Sequence, residues 1–457
     1  MTGTERRTFV DAHIVASGFR GAMARHWALV VTLVAGMGYM AIITLLHSQA
    51  VSPIDEPQYI DYIDKVYGQG IVRSGEYLGE LVRGLFACHG VIPFGVMGAA
   101  CGSDMSDPSV FPFGGISSAP IYTPVQFWID RLVGDAIGLI PGIDQLAGWR
   151  LVGTLWLGGG LVFCYLIARR FRATGWGFVA VALACVASPF GYWTFSFVST
   201  DAPIFLFGAI TLWLTMRIAR GESSGWWLVA LGAAGALFKA TSLVAVGFAF
   251  VYLIAYRILQ LRRSGATAGA VVRGVFGRTF WLPLLGVVAN VVVAAVWTKL
   301  IPIFAVRSSA VDQGVATPPT FDLFGQQFVN FLGGALQWVV PQTDANNLFL
   351  PLQWLAVAAV VGAVLIYPRG ARDRALPVSL LIGYLIAAPV LALSVVIATG
   401  SFFPIPPRYG IALIPALIAV VLPLMRNRWA VRALLAYTAV LLMYQLGMTL
   451  VFARWYP

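Results

Sequence analysis

The chain has 457 residues, of which 59% are apolar and only 11% charged, and its mean hydropathy is +0.82. Soluble domains carry about a quarter charged residues, so this composition excludes an ordinary soluble enzyme and predicts an all-α, multi-span membrane protein. The formal net charge of +11 does not point to nucleic acid, because the basic residues stand in short clusters between apolar runs, as the positive-inside rule requires.

Residues 1–26 are polar, carry Arg6, Arg7, Arg20 and Arg25, and are expected to form a cytoplasmic tail. The apolar run 27–46 is long enough to cross a bilayer and is followed by no small-residue cleavage site, so it is expected to be a retained first span. Further spans are expected at about 147–168, 174–192, 200–217, 226–239, 241–258, 280–299, 348–367, 376–398, 408–425 and 429–451. With the N-terminus inside, five successive inside loops hold Arg169 to Arg172, Arg217 to Arg220, Arg257 to Arg278, Arg369 to Arg374 and Arg426 to Arg432. That regularity predicts eleven spans, with an outside C-terminus and residues 27–457 forming one transmembrane domain. Arg outnumbers Lys by 27 to 3, with abundant Ala, Gly and Val. This bias fits a GC-rich bacterial genome and places the chain in a bacterial plasma membrane.

The acids show the opposite bias. Eleven of the 19 lie in the first outside segment, 49–146, from Asp55 to Asp144. A second long outside loop is expected at 300–347. Loops of this length between spans usually carry function. The first opens on Ser52-Pro53-Ile54-Asp55-Glu56-Pro57. Two adjacent acids at the bilayer interface can supply a general base; a solvated loop start is the plainer alternative. From Tyr59 to Phe86 apolar residues recur at roughly helical spacing, with Asp61, Asp64, Lys65, Glu80 and Arg83 between them. Such helices either lie flat on the membrane or pack on the loop's own core. Cys88 and Cys101 share this loop, and an oxidising compartment would permit a disulfide between them. The His and Cys spacings assemble no metal site.

At the outer ends of later spans stand Asp201, in Thr200-Asp201-Ala202-Pro203, and Lys239, in Phe238-Lys239-Ala240-Thr241. Asp201 suits a helix N-cap. Lys239 has little loop around it and either snorkels to the interface or serves a site. All three Lys, Lys65, Lys239 and Lys299, map outside, joined by Arg307 and Arg408. Cations gathered at one interface suit a phosphate.

Taken in order, Asp55-Glu56, Ser118-Ala119-Pro120-Ile121-Tyr122, the stretch Ser188-Pro189 to Asp201-Ala202-Pro203, Lys239-Ala240-Thr241 and Arg408-Tyr409 resemble the GT-C superfamily of polyprenol-dependent glycosyltransferases. Bacterial aminoarabinose transferases and protein O-mannosyltransferases are the members it is most similar to. The chain departs from them after the first acid, where Tyr59 and Ile60 stand and Lys65 is the first cation. The resemblance implies transfer of a sugar from a polyprenyl-phosphate donor to an extracytoplasmic acceptor: a cell-envelope glycan, a lipid or a protein. The departure after the first acid leaves the donor sugar open; arabinose or mannose would suit the GC-rich bacterial source that the composition suggests.

The leaving phosphate needs no general acid. What remains is a carboxylate to take the acceptor's proton and cations to stabilise the phosphate. Asp55 is assigned as the base, with Glu56 sharing that role or orienting a substrate, and Asp201 as an acid behind them. Lys239 and Arg408 are expected to hold the phosphate, with Lys299 and Arg307 behind them. Tyr122, Tyr409, Trp297 and Trp338 could bound the groove, with Tyr59 a further substrate-binding candidate; any one of these aromatics taken alone is more simply an interface anchor. No metal is required, although Asp55, Glu56 and Asp201 could hold one. A transporter or lipid-linked-sugar flippase is the alternative, but no internal repeat or midplane cluster of charges favours it.

Overall fold

The computed structural model describes residues 26–173, 175–307, 317–332, 346–366 and 371–455. The tail residues 1–25, Trp338 and much of the second long loop lie outside the described residues. The architecture is all-helical; the extended pairings among the described residues are isolated bridges.

Helix α1, His26–Leu46, crosses first. The first loop follows with α2, Glu56–Gln69, then the short α3, Glu80–Gly84, and α4, Val125–Gly138. Helix α5, Gln145–Arg170, re-enters the bundle, its free amino end capped by Asp144, which accepts from Ala147 N at 2.7 Å. Helices α6, Trp176–Val186, and α7, Pro189–Phe195, are bent by 68° against each other. The break is set by Ser188, whose hydroxyl accepts from Gly191 N, with Pro189 at the first turn of the new helix, a standard restart.

Helices α8, Ala202–Ile218, and α9, Trp226–Phe238, are shorter; α10, Leu243–Arg263, follows one 3-10 turn after α9. Beyond it come α11, Ala268–Val275; α12, Arg278–Leu300; α13, Phe321–Gln327; α14, Asn346–Ile366; α15, Ala371–Thr399; α16, Ile414–Val421; and α17, Arg428–Trp455. Among the described residues eight helices are long and apolar enough to cross a bilayer, or nine if the bent pair is one crossing. Every segment expected from the sequence is helical where it is described, but α8 and α9 are shorter than the other candidate crossings, and the break at Ser188 divides another.

Two apolar cores form among the described residues. The larger runs through the bundle. The smaller belongs to the first loop, where Tyr59, Ile60, Tyr62, Ile63 and Val66 of α2 meet Val82, Phe111, Phe127 and Trp149. The rings of Tyr62 and Phe127 stack at 4.1 Å. Of the two expectations for this amphipathic stretch, packing on the loop's own core is the one realised for α2. Cys88 and Cys101 are joined in this loop, their Cα atoms 4.7 Å apart. Asp61, expected among the polar positions, is fully buried. It holds Lys65 at 2.8 Å and accepts from Gly79 N at 2.7 Å, tying α2 to the turn before α3.

Two glycines set the approach of helices that carry the site. A Cβ at Gly148 would lie 2.5 Å from Gly134 O, so α4 and α5 touch backbone to backbone just before Arg150. A Cβ at Gly208 would run into Ala412 O, so α8 presses on the turn that follows Arg408.

Candidate active site

Four charged side chains from four distant parts of the chain converge at one end of the bundle. Asp55 closes the connection after α1, Asp201 precedes α8, Lys239 follows α9, and Arg408 opens the 3-10 turn Pro407–Leu413. Asp201 stands at the N-cap position of α8 but makes no capping bond with its side chain. Its carboxylate instead accepts from Lys239 Nζ at 2.6 Å and lies 3.4 Å from Arg408 Nε. Lys239 reaches it because the backbone there is extended, φ −161° and ψ 134°, breaking the helix between α9 and the turn that follows.

Arg408 links the two acids. Its Nη2 donates to Asp55 Oδ2 at 2.6 Å. Its Nε is buried and makes no hydrogen bond. Asp201 Oδ2, 3.4 Å away, balances its charge without closing a hydrogen bond, so this donor is suited to an incoming oxygen. Asp201 and Lys239 are buried, whereas the Asp55 side chain is 39% exposed. The open side of the cluster is therefore the Asp55 side.

Asp55 has φ 59° and ψ 7°. This left-handed conformation is uncommon outside glycine, and Asp and Asn tolerate it best. It turns the chain sharply at the start of α2, so that adjacent acids diverge. Glu56 points inward and is fully buried. It takes Arg150 Nε at 2.8 Å and Nη2 at 3.1 Å, Ser52 N at 2.7 Å and Val198 N at 3.0 Å. Arg150 completes its own set on the carbonyls of Ser48 and Ala50, both at 2.8 Å. With this many partners Glu56 is a structural clamp. It joins the end of α1, the start of the first loop, α5 and the hairpin before Asp201.

Three tyrosines edge the cluster. Tyr59 OH lies 3.3 Å from Tyr122 OH, accepts from Thr200 Oγ1 at 3.2 Å, and is 3.5 Å from Asp55 Oδ2. Burial, reinforced by the mutual proximity of Tyr59 and Tyr122 and by Asp55, raises the Tyr59 phenol well above its ordinary range. Burial with Tyr409 and Asp55 nearby does the same to Tyr122. Both phenols therefore keep their protons and remain hydrogen-bond donors. Lys239 Nζ sits 4.6 Å from the Tyr409 ring centroid and 6.0 Å from that of Tyr122, within cation–π range.

Lys299 and Arg307 stand apart from this cluster. Lys299 is exposed at the end of α12 and makes no ion pair among the described residues. Arg307 stacks over Tyr77 at 3.8 Å and donates to Gly75 O at 3.1 Å, which pins it to the first loop. Trp297 donates to Pro120 O at 3.2 Å, so it holds the Tyr122 turn. Among the described residues no three of His, Cys, Asp and Glu converge as metal ligands would.

Arg150 and Asp130 were not singled out by the sequence. Arg150 sits at the start of an expected span, where a lone Arg reads as an interface anchor. Asp130 is buried on α4, accepting from Gln126 Nε2 at 3.0 Å and Trp156 Nε1 at 3.2 Å. Gln126 Nε2 also donates to Ser199 O at 3.1 Å, two residues before Asp201. Burial raises the Asp130 carboxyl from 3.8 to about 7. The folded chain therefore holds a proton that the unfolded chain releases. The resulting stabilisation is full below about pH 4 and falls as pH rises to about 7, by at most about 1.4 kcal/mol per pH unit. Unfolding followed at pH 5 and pH 7.5 is expected to show wild type losing stability relative to Asp130→Asn. A difference between the two proteins that stays constant with pH would show that Asp130 does not titrate there.

One comparison with known proteins bears on these features. Residues 122–281 match the family model described as dolichyl-phosphate-mannose-protein mannosyltransferase. The match bears out the resemblance drawn from the sequence and supports a membrane-embedded glycosyltransferase in general. It spans Tyr122, Arg150, Asp201 and Lys239, while Asp55 and Arg408 lie to either side of it. No curated protein matches the chain.

Proposed function

We propose that the protein transfers a sugar from a polyprenyl-phosphate donor to a hydroxyl-bearing acceptor at the extracytoplasmic face of a bacterial plasma membrane. In this reading the bent pair and the two shorter helices complete eleven crossings, with the N-terminus inside. The observation that carries the proposal is Arg408. It lies between two carboxylates, with one donor engaged by Asp55 at 2.6 Å and its buried Nε donating to nothing.

As found, the cluster of Asp55, Asp201, Lys239 and Arg408 is neutral, two acids against two cations. A donor phosphate entering from the open side competes with Asp55 for Arg408. When it takes the guanidinium, Asp55 is released as a base, so the base becomes available only with the donor in place. Lys239 cannot drift, because Asp201 holds its ammonium, and it adds a second positive charge beside the phosphate. As the bond from the anomeric carbon to the phosphate oxygen breaks, charge gathers on the phosphate, where Arg408 and Lys239 stabilise it. The acceptor oxygen bonds to the anomeric carbon from the opposite side, and its proton passes to Asp55. The tyrosines supply neutral donors for sugar hydroxyls or phosphate oxygens. Glu56 serves through Arg150 by fixing where Asp55 stands, and takes no proton itself.

One displacement inverts the anomeric centre. Protein reconstituted into vesicles with polyprenyl-phosphate sugars is expected to give a product of inverted configuration, read by NMR of the anomeric proton. Retained configuration would overturn the single displacement. Absence of transfer from every lipid-phosphate sugar tried would overturn the enzymatic reading. Since Lys239 and Arg408 supply the positive charge, the rate is expected to be unchanged by a divalent-metal chelator; a loss restored by adding metal would require an ion at the carboxylates.

A further inference from the structure

A cavity lies at the opposite end of the bundle from the charged cluster. Asp201 and Lys239 mark the amino end of α8 and the carboxyl end of α9; the cavity is bordered by the other ends of these helices, together with the end of α10 and the start of α12. The length of α8 places it about 25 Å from Asp201. It is an open cleft of about 800 Å³, lined by Trp226, Trp281, Arg257, Ser223, Ser224 and Thr279.

Its charge is unbalanced. Between residues 202 and 311 Glu222 is the sole acid, against Arg217, Arg220, Arg257, Arg262, Arg263 and Arg273 near this end. Glu222 is already taken by Arg170 at 3.0 Å, with Arg217 at 3.9 Å and Arg220 at 3.7 Å. Arg257 donates to Gly274 O at 3.3 Å and Gln260 Oε1 at 3.0 Å, and it pairs with no carboxylate among the described residues. It is half-buried in the cleft wall, where an unneutralised guanidinium favours an anion. Trp226 and Trp281 are 62% and 54% exposed. Tryptophans so exposed beside a membrane-spanning bundle mark the headgroup level.

We propose that this cleft binds the phosphate headgroup of an anionic lipid in the leaflet opposite the carboxylate–cation cluster. Arg257 holds the phosphate, Ser223, Ser224 and Thr279 accept or donate to headgroup oxygens, and the two indoles flank the acyl chains. Basic pockets between spans are recurrent sites for anionic lipid headgroups. The cleft is separate from the transfer site and does not depend on its assignment.

Native mass spectrometry of the full-length protein in mild detergent tests this with phosphatidylglycerol and phosphatidylcholine of identical chains. Wild type is expected to retain phosphatidylglycerol about tenfold more strongly, and Arg257→Gln to lose that preference, as expected for one charge-assisted contact. Arg257→Lys keeps the charge and is expected to keep most of it. Equal retention of both lipids by wild type, or an unchanged preference in Arg257→Gln, would overturn the proposal. Displacement of the lipid by millimolar inorganic phosphate would assign the cleft to a soluble phosphate instead. If Arg257→Gln does not fold, the wild-type comparison and Arg257→Lys decide it.

Discussion

Arg150→Met is expected to destabilise the protein by about 3–5 kcal/mol, the cost of leaving a buried charge without its partner. The side chains of Arg150 and Glu56 are 2% and 0% exposed. Removing the guanidinium breaks both bonds to Glu56 and both to the carbonyls of Ser48 and Ala50. Glu56 would keep only the amides of Ser52 and Val198. Arg150→Lys is expected to recover little, because one ammonium cannot reproduce a fork that reaches a carboxylate and two carbonyls. The double variant Arg150→Met with Glu56→Gln is expected to lose less than the sum of the single losses, since the orphaned charge is gone. Unfolding in detergent measures all of these. Stability unchanged in Arg150→Met would show that the clamp carries no energy. The transfer rate of any Arg150 variant that remains folded is expected to fall as well, because Asp55 adjoins the clamped residue.

Asp55→Asn is expected to lower transfer by about 10²–10⁴, the range for loss of a general base, with little change in stability. Two observations separate activity from folding here. The Asp55 side chain is 39% exposed, so its replacement by a neutral amide buries no new polar group. Its backbone is left-handed, with φ 59°, a conformation that Asn tolerates as well as Asp does. The amide also removes the partner that holds Arg408, so binding of the lipid-phosphate donor is expected to persist or tighten while turnover is lost. A rate near that of wild type would remove Asp55 as the base. Loss of donor binding along with turnover would instead make Asp55 a residue that orients Arg408.

Much of the candidate site was legible in the chain because charges are rare in it. In an apolar sequence an Asp or Lys beside a span is conspicuous, and the alternation of arginine-rich loops assigns it to a face. Asp55, Asp201, Lys239 and Arg408 were found in this way, and the structure brings all four together. Lys299 and Arg307 satisfied the same criterion and lie elsewhere. Sidedness restricts a residue to a plane, and within that plane it says nothing about neighbours. Arg307 is held by the ring of Tyr77, a contact that no local pattern announces.

The pairings that decide the roles join residues far apart in sequence: 94 positions from Glu56 to Arg150, 353 from Asp55 to Arg408, and 38 from Asp201 to Lys239. The pair Asp55-Glu56 shows the difference most directly. Read as two adjacent acids, either could be the base. One left-handed residue sends them in opposite directions, Asp55 to the open edge and Glu56 into a buried clamp.

By itself the sequence determined that the chain is built of apolar helices long enough to cross a membrane and roughly where they run, and it predicted which face would gather acids and outlying lysines. Those properties follow from local hydropathy and from the cost of moving charge across lipid. Only the tertiary structure decided which carboxylate is satisfied and which is open, that Arg408 links two acids, and that Asp130 is buried. Those properties depend on which helices touch and on how many hydrogen bonds each buried group completes, and neither is encoded in any one segment.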